Sequence, residues 1–260
     1  MIIKELMNGL LPNALFILIT IGYFILKYIT VSAYLEKSVK DVKDVKDVKD
    51  LSYLNKIRDG ENTIVLILFP ILYLGVVFIT SLIVNFGINA DKCENVFGNL
   101  FKISLYVFIP LVTILFPIMC LVYKIKGFKA PFSNTSGLLY CVMFKNATAV
   151  VDKFNKLFPP SGGLNGLNVN DLPETGAIDN LLDTTDGSSG DNDESKDEDI
   201  LNFYKILIAR DMIGEMWWYL LAGILASVVS ISLVSDIRCK YTEKKVKETE
   251  EEYFELMGRS

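Results

Sequence analysis

The chain contains no histidine. That omission removes Ser/His/Asp and Cys/His nucleophile systems, imidazole acid–base catalysis, and histidine ligation of metal or haem. The four cysteines, Cys93, Cys120, Cys141 and Cys239, show neither C-x-x-C spacing nor a metal-site pattern. Cys120 falls inside an apolar run and reads as a small buried hydrophobe, whereas Cys239 lies just past another run, at a position suited to palmitoylation. Residues 171–199 hold eleven acids and a single lysine. Their spacing misses the EF-hand loop, so the stretch reads as a solvated acidic loop rather than a divalent-cation site. No Walker loop, dinucleotide fingerprint, nucleophile elbow or zinc motif occurs. The residues therefore predict a non-enzymatic protein with no cofactor, no metal and no nucleic-acid partner. Asn134-Thr135-Ser136 and Asn146-Ala147-Thr148 are glycosylation sequons whose meaning depends on which side of a membrane they face.

The elements that must carry these residues follow from hydropathy. Of 260 residues 51% are hydrophobic, the mean hydropathy is +0.37, and the apolar residues gather into four blocks. Each block is about 20 residues long, the length that crosses a hydrocarbon core of about 30 Å. The predicted fold is all-α: an integral membrane bundle of four transmembrane helices, with a long, largely irregular polar loop between the third and fourth spans and a charged helical C-terminal tail. The first block, 10–35, ends in Val31-Ser32-Ala33, which resembles a signal-peptide cleavage site. The preceding Lys4 and Glu5 leave no net positive charge, however, so the block is expected to remain as a span.

Lys27 is the only charge in the first block, and no acid occurs in the other three. It is expected to snorkel, stem in lipid and ammonium among the headgroups. The nearest acids, Asp211 and Glu215, lie only at the edge of the fourth block. Pro70 in the second block (63–86) and Pro110 and Pro117 in the third (103–123) each remove a helical hydrogen bond, and they are expected to shape the bundle rather than gate it. The fourth block, 216–235, opens with Trp217, Trp218 and Tyr219, an amphipathic trio that marks a membrane interface. Within it Ala222, Gly223, Ala226, Ser227 and Ser230 form a small-residue face where another helix backbone approaches closely.

The resulting organisation is an N-terminus with the first span (1–36), a charged linker (37–62), a hairpin of the second and third spans (63–123), a large polar loop (124–215), the fourth span (216–235) and a charged tail (236–260). The linker contains SVKDVKDVKDVKD, whose three-residue period drifts about 60° per step around a helix and so holds no single face. It reads as a charge-balanced tether. Lys124, Lys126 and Lys129 follow the third span and suit anionic headgroups. In the loop, 143–158 places Met143, Ala147, Val150, Val151, Phe154, Leu157 and Phe158 on one helical face, which fits either an interfacial helix or the core-facing helix of a small subdomain. The tail combines Lys-to-Glu pairs at i,i+4 with the apolar Tyr253, Phe254 and Leu256 near its end. Basic residues flank both sides of the four spans, so the positive-inside rule leaves the orientation open.

Four spans with the largest loop before the fourth superficially resemble the tetraspanins. That family's loop carries a Cys-Cys-Gly motif and several disulfides, whereas this one carries only Cys141, so no membership follows. The expected function is a membrane anchor or scaffold whose partners are the lipid bilayer and the subunits of a larger assembly, reached through the polar loops and tail. Two settings fit: an accessory subunit of a membrane complex, or a minor virion protein that links an internal membrane to a capsid shell. The alternative is a channel or transporter subunit with kinked second and third helices and a path lined by Thr80, Ser104 and Thr113.

Overall fold

A computed structural model describes residues 2–43, 62–90, 93, 97–157, 194–237, 251, 253–254 and 258. Among them every regular element is a helix. Four helices are long and apolar enough to cross a membrane, Pro12–Ala33, Leu68–Ala90, Phe97–Lys124 and Leu201–Ser235. The protein is thus a multi-pass membrane protein of the all-α class, as the four apolar blocks predict. Helices are favoured there because lipid offers no partner to an open backbone group.

Helix α1 runs Ile2–Lys43, through the first block and into the charged repeat. The rest of the repeat lies outside the described residues. Helix α2, Asn62–Ala90, carries Pro70 in its interior. The third span is composite: a 3-10 turn at Phe97–Asn99, α3 at Leu100–Pro110, a π-helical turn at Leu111–Leu115 and α4 at Phe116–Lys124. The wide turn sits between Pro110 and Pro117, the two residues that bring no N–H to the ladder. Its register is visible where the Phe116 N–H reaches Leu111 O, one residue further back than in an α-helix. Thr113 Oγ1 donates to Ile109 O at 2.8 Å, a back-bond of the kind that bends helices.

Short pieces follow: a 3-10 turn at Lys126–Lys129, α5 at Ala130–Phe132, a π-helical turn at Ser133–Gly137, α6 at Leu138–Phe144 and α7 at Ala147–Leu157. The single amphipathic helix expected over 143–158 is therefore broken. Asn146 adopts φ 50° between α6 and α7, a conformation asparagine tolerates better than most side chains. Helix α8 runs unbroken from Glu194 to Ser235, so the fourth helix begins well before 216. Residues 194–199, expected in the acidic loop, form its first turns. The remainder of the acidic segment lies outside the described residues.

The chain divides into two compact units. The first comprises Met1–Ile17, Gly75–Pro117 and Ala222–Ser260. Its core is aliphatic, with Val77, Ile103, Val107, Leu115 and Val234 buried, and aromatic contacts join Phe78 to Phe108 and Phe86 to Phe97. The small-residue face is buried throughout: Ala222, Gly223, Ala226, Ser227 and Ser230. Its neighbour at Gly223 is Phe16 of the same chain, so close that a Cβ there would lie 1.7 Å from Phe16 Cζ. Also in this unit, Cys93 is buried and disulfide-bonded, and its N–H donates to Asn89 O at 2.8 Å.

The second unit comprises Leu18–Leu74 and Ile118–Leu221. Cys141, Ala147, Val151, Phe203, Tyr204, Ile206, Leu207 and Ala209 form a buried cluster there, with Tyr28, Leu138, Tyr140 and Val150 packed against it. Of the two readings of the loop helix, the core-facing one fits α7, whose Ala147 and Val151 enter this cluster. Met143, assigned to the same apolar face, instead joins Leu139 and Val142 as exposed residues of α6. The Cys141 thiol donates to Ile206 O at 3.4 Å, and burial pushes its pKa up to about 11.

Candidate functional site

The second unit brings charges of the first and fourth spans together with Lys129 in a seam between α1, α8 and the segment after the third span. Lys27 on α1 is buried, and its Nζ donates to both carboxylate oxygens of Glu215 on α8, at 2.8 and 2.9 Å. The snorkelling expectation is thereby corrected. Glu215 lies one residue before the apolar block, but because α8 extends upstream to Glu194, its carboxylate is carried on a continuous helix against α1. The ammonium also lies 5.5 Å from the Phe24 ring centroid and 5.9 Å from that of Tyr23, within reach of cation–π attraction.

A second cluster sits one turn earlier on α8. Asp211 Oδ1 accepts from Arg210 Nη2 at 2.9 Å and from Arg210 Nε at 3.2 Å. The other carboxylate oxygen, Oδ2, faces Lys129 Nζ at 3.3 Å. Lys129, expected among the lipid headgroups, is thus engaged in an ion pair with Asp211. Lys124 is exposed, as a headgroup contact requires, and the side chain of Lys126 lies outside the described residues.

Close backbone approach makes this clustering possible. A Cβ on Gly137 would lie 2.4 Å from Arg210 O, and one on Gly214 would lie 2.1 Å from Ser133 Oγ and 2.8 Å from Ser133 N. Ser133 and Gly137 are four residues apart, as are Arg210 and Gly214. The π-helical turn and α8 therefore meet through two small residues on one side and one glycine on the other, a small-xxx-small geometry outside the block where sequence reasoning looked for it.

Aromatic side chains surround the seam. Tyr23 lies 4.7 to 6.3 Å by ring centroid from Phe24, Tyr73 and Tyr219, and Tyr219 lies 5.3 Å from Phe24 and 5.5 Å from Tyr73; Thr20 Oγ1 and Tyr73 Oη share a 2.9 Å hydrogen bond. Tyr219 is only 2% exposed, so it belongs to the interior and not to the interface trio. Trp218 is also engaged: Nε1 donates to Phe128 O at 2.8 Å, and the indole stacks on Phe128 at 4.5 Å. Trp217, which stacks on Phe132 at 6.2 Å, is at 39% exposed the member of the trio most accessible to lipid headgroups.

The arrangement fixes charges against one another. Each carboxylate of the seam has a cation at hydrogen-bond or ion-pair distance, which offsets the large cost of desolvating it. Among the described residues no three His, Cys, Asp or Glu side chains are grouped so as to hold a metal ion. Comparison with family models, curated proteins and solved structures gives no match to this chain. The long-range pairs were missed because the partners stand 188 residues apart in the case of Lys27 and Glu215. The usable signal was the charge pattern IARDMIGE ahead of the tryptophans, which reads as loop until the helix is known to pass through it.

Proposed function

We propose that the protein is a non-enzymatic, multi-span membrane anchor that tethers a bilayer to a larger protein assembly through its polar segments. The observation that carries this reading is a contrast in how side chains are used. Charged groups of the first and fourth spans bond within the chain, whereas several apolar side chains on the segments outside the spans stay uncovered. Leu139, Val142, Met143 and Phe144 on α6 are exposed, and in the tail Tyr253 and Phe254 are 57% and 64% exposed. Exposed apolar groups on otherwise charged segments suit contact with a partner surface or with the lipid interface.

The partners in this reading are the bilayer and protein subunits, with no nucleic acid, no cofactor and no metal. An accessory role in a membrane complex and a minor virion role linking an internal membrane to a shell both fit. Replacing Tyr253 and Phe254 with serine in the full-length protein is expected to release stoichiometric partner subunits from mild-detergent extracts. Retention of those subunits by the double variant contradicts tail docking.

A channel or transporter subunit is the second reading. The π-helical turn between Pro110 and Pro117 favours it, since such turns often mark functional sites. Thr113, its proposed lining group, is exposed and bonded to Ile109 O. Ion flux through purified protein in liposomes that vanished on Thr113→Leu would favour this reading over the anchor.

A further inference from the structure

Two carboxamides interrupt the apolar interior of the first unit. Asn85 and Asn89 stand near the end of the α2 span, 2% and 1% exposed, and at a separation of four residues they share one helical face. Three of their polar atoms, Asn85 Oδ1, Asn89 Oδ1 and Asn89 Nδ2, are bonded to no group of the protein. Other polar side chains of the spans are satisfied by their own helix: Thr113 Oγ1 donates to Ile109 O, Ser230 Oγ to Ala226 O, and Asn85 Nδ2 itself to Ser81 O. A carboxamide oxygen has no such outlet, because inside a helix each backbone N–H is already given to the carbonyl one turn back. The other buried polar side chains described in this unit are Ser227 and Ser230, and Ser230 spends its hydrogen on Ala226 O.

We infer that Asn85 and Asn89 hold a water molecule inside the first unit, at a site that opens toward the loop between the second and third spans. Polar groups left unbonded at this depth are costly, since hydrocarbon offers them nothing. Two acceptors and one donor are the complement of water, which gives two hydrogens and accepts on its oxygen, and they match the roughly 3 hydrogen bonds of a typical buried water. Ions fit less well. A cation bound here would meet no carboxylate and an anion no basic group, because among the described residues no charged side chain is buried in this unit.

The entry route follows from position along the span. Asn89 directly precedes Ala90, where the α2 span ends, so water reaches the pair from that end of the helix. In the other direction the bonding stops. Val77, on the same face of α2 and about two turns beyond Asn85, is 1% exposed, and Ile103, Val107 and Leu115 of the third span are buried aliphatics. None of these can hold a water molecule in place. Hydration from this end is therefore a dead end and not a path across the bilayer, which distinguishes it from a pore lined by Thr80, Ser104 and Thr113.

Two measurements on the full-length chain in lipid bilayers test the inference. In the first, solid-state NMR follows the transfer of magnetisation from water to the nitrogen-15-labelled native protein. The side-chain NH2 signals of Asn85 and Asn89 are expected to rise as fast as that of the exposed Asn134, ahead of the backbone amide of Ala226, which is buried on α8. In the second, silver ion, a thiol reagent close to water in size, is applied to Asn85→Cys and Val77→Cys, with the native chain as the blank for its own thiols. After unfolding, the added thiol of Asn85→Cys is expected to be lost to maleimide labelling and that of Val77→Cys to remain. Asparagine NH2 signals that rise no faster than the Ala226 amide overturn the inference. So does an Asn85→Cys thiol that silver leaves untouched, and silver modification of Val77→Cys to the same extent overturns the dead end.

Discussion

In the first unit Gly223 of α8 meets the Phe16 ring, and aliphatic side chains fill the remaining space. In the second, Lys27 meets Glu215, Arg210 and Lys129 meet Asp211, and tyrosines close around them. Both regions draw on α1, α2, the third span and α8, yet they cohere by different physics. Where lipid tails are as apolar as leucine, burial gives no water-exclusion gain, so the first unit relies on close packing and dispersion. The second unit adds directional, charge-assisted contacts. The difference concerns specificity more than strength. Packing of small residues tolerates sliding of one helix on another, whereas a bidentate lysine–carboxylate pair holds α1 and α8 at one register.

The largest effect that separates the two regions is expected from the ion pair. Lys27→Met leaves Glu215 buried without its cation, and breaking such a pair typically costs about 3–5 kcal/mol. Thermal unfolding in detergent should show the loss. Lys27→Met combined with Glu215→Leu should recover most of it, because a matched apolar pair carries no desolvation cost. If the double variant is as unstable as the single one, the pair is not what holds this region.

Overpacking tests both regions at once. Gly214→Val drives a side chain into the backbone of Ser133, and Gly223→Val drives one into the Phe16 ring. Each is expected to cost about 1–3 kcal/mol. The Gly214 variant should lie at the upper end, since a backbone yields less than a ring, and equal losses would remove that distinction.

A pH-dependent effect confined to the second unit follows from Cys141. Its thiol ordinarily titrates near 9 and is pushed up to about 11 by burial. Between these values the unfolded chain has released the proton that the folded chain retains, so folding stability falls as pH rises from about 9 toward about 11. Below pH 9 Cys141 contributes no pH dependence. Cys141→Ala should flatten the stability profile across that window, and an unchanged slope would show that another group is responsible. The smallest effect belongs to the exposed pair of Lys205 and Glu36. Lys205→Ala is expected to change stability by about 0–1 kcal/mol, and a larger loss would place this pair with the seam.

The four spans were legible because twenty-residue apolar runs reflect a length requirement that is local in sequence. The small-residue face of α8 was legible for the same reason, since Ala222, Ala226 and Ser230 repeat at helical spacing. Lys27 was not. Its partner lies on a helix whose start, at Glu194, is hidden in a stretch of acids that composition marks as solvated loop. Tyr219 was misplaced for a related reason: with α8 extending so far upstream, the aromatic trio no longer begins a helix, and its third member turns inward to Tyr23 and Tyr73. The break at Asn146 depends on one residue adopting φ 50°, which no amphipathic pattern reveals.

The central claim is that the chain anchors a bilayer to other proteins. It is tested most directly by native mass spectrometry of the full-length protein extracted in mild detergent from its own membrane. The account predicts a complex in which this chain is held at fixed stoichiometry by different protein subunits, and in which the Tyr253→Ser, Phe254→Ser double variant loses them. A homo-oligomer that carries no other subunit and conducts ions when reconstituted into liposomes would contradict it.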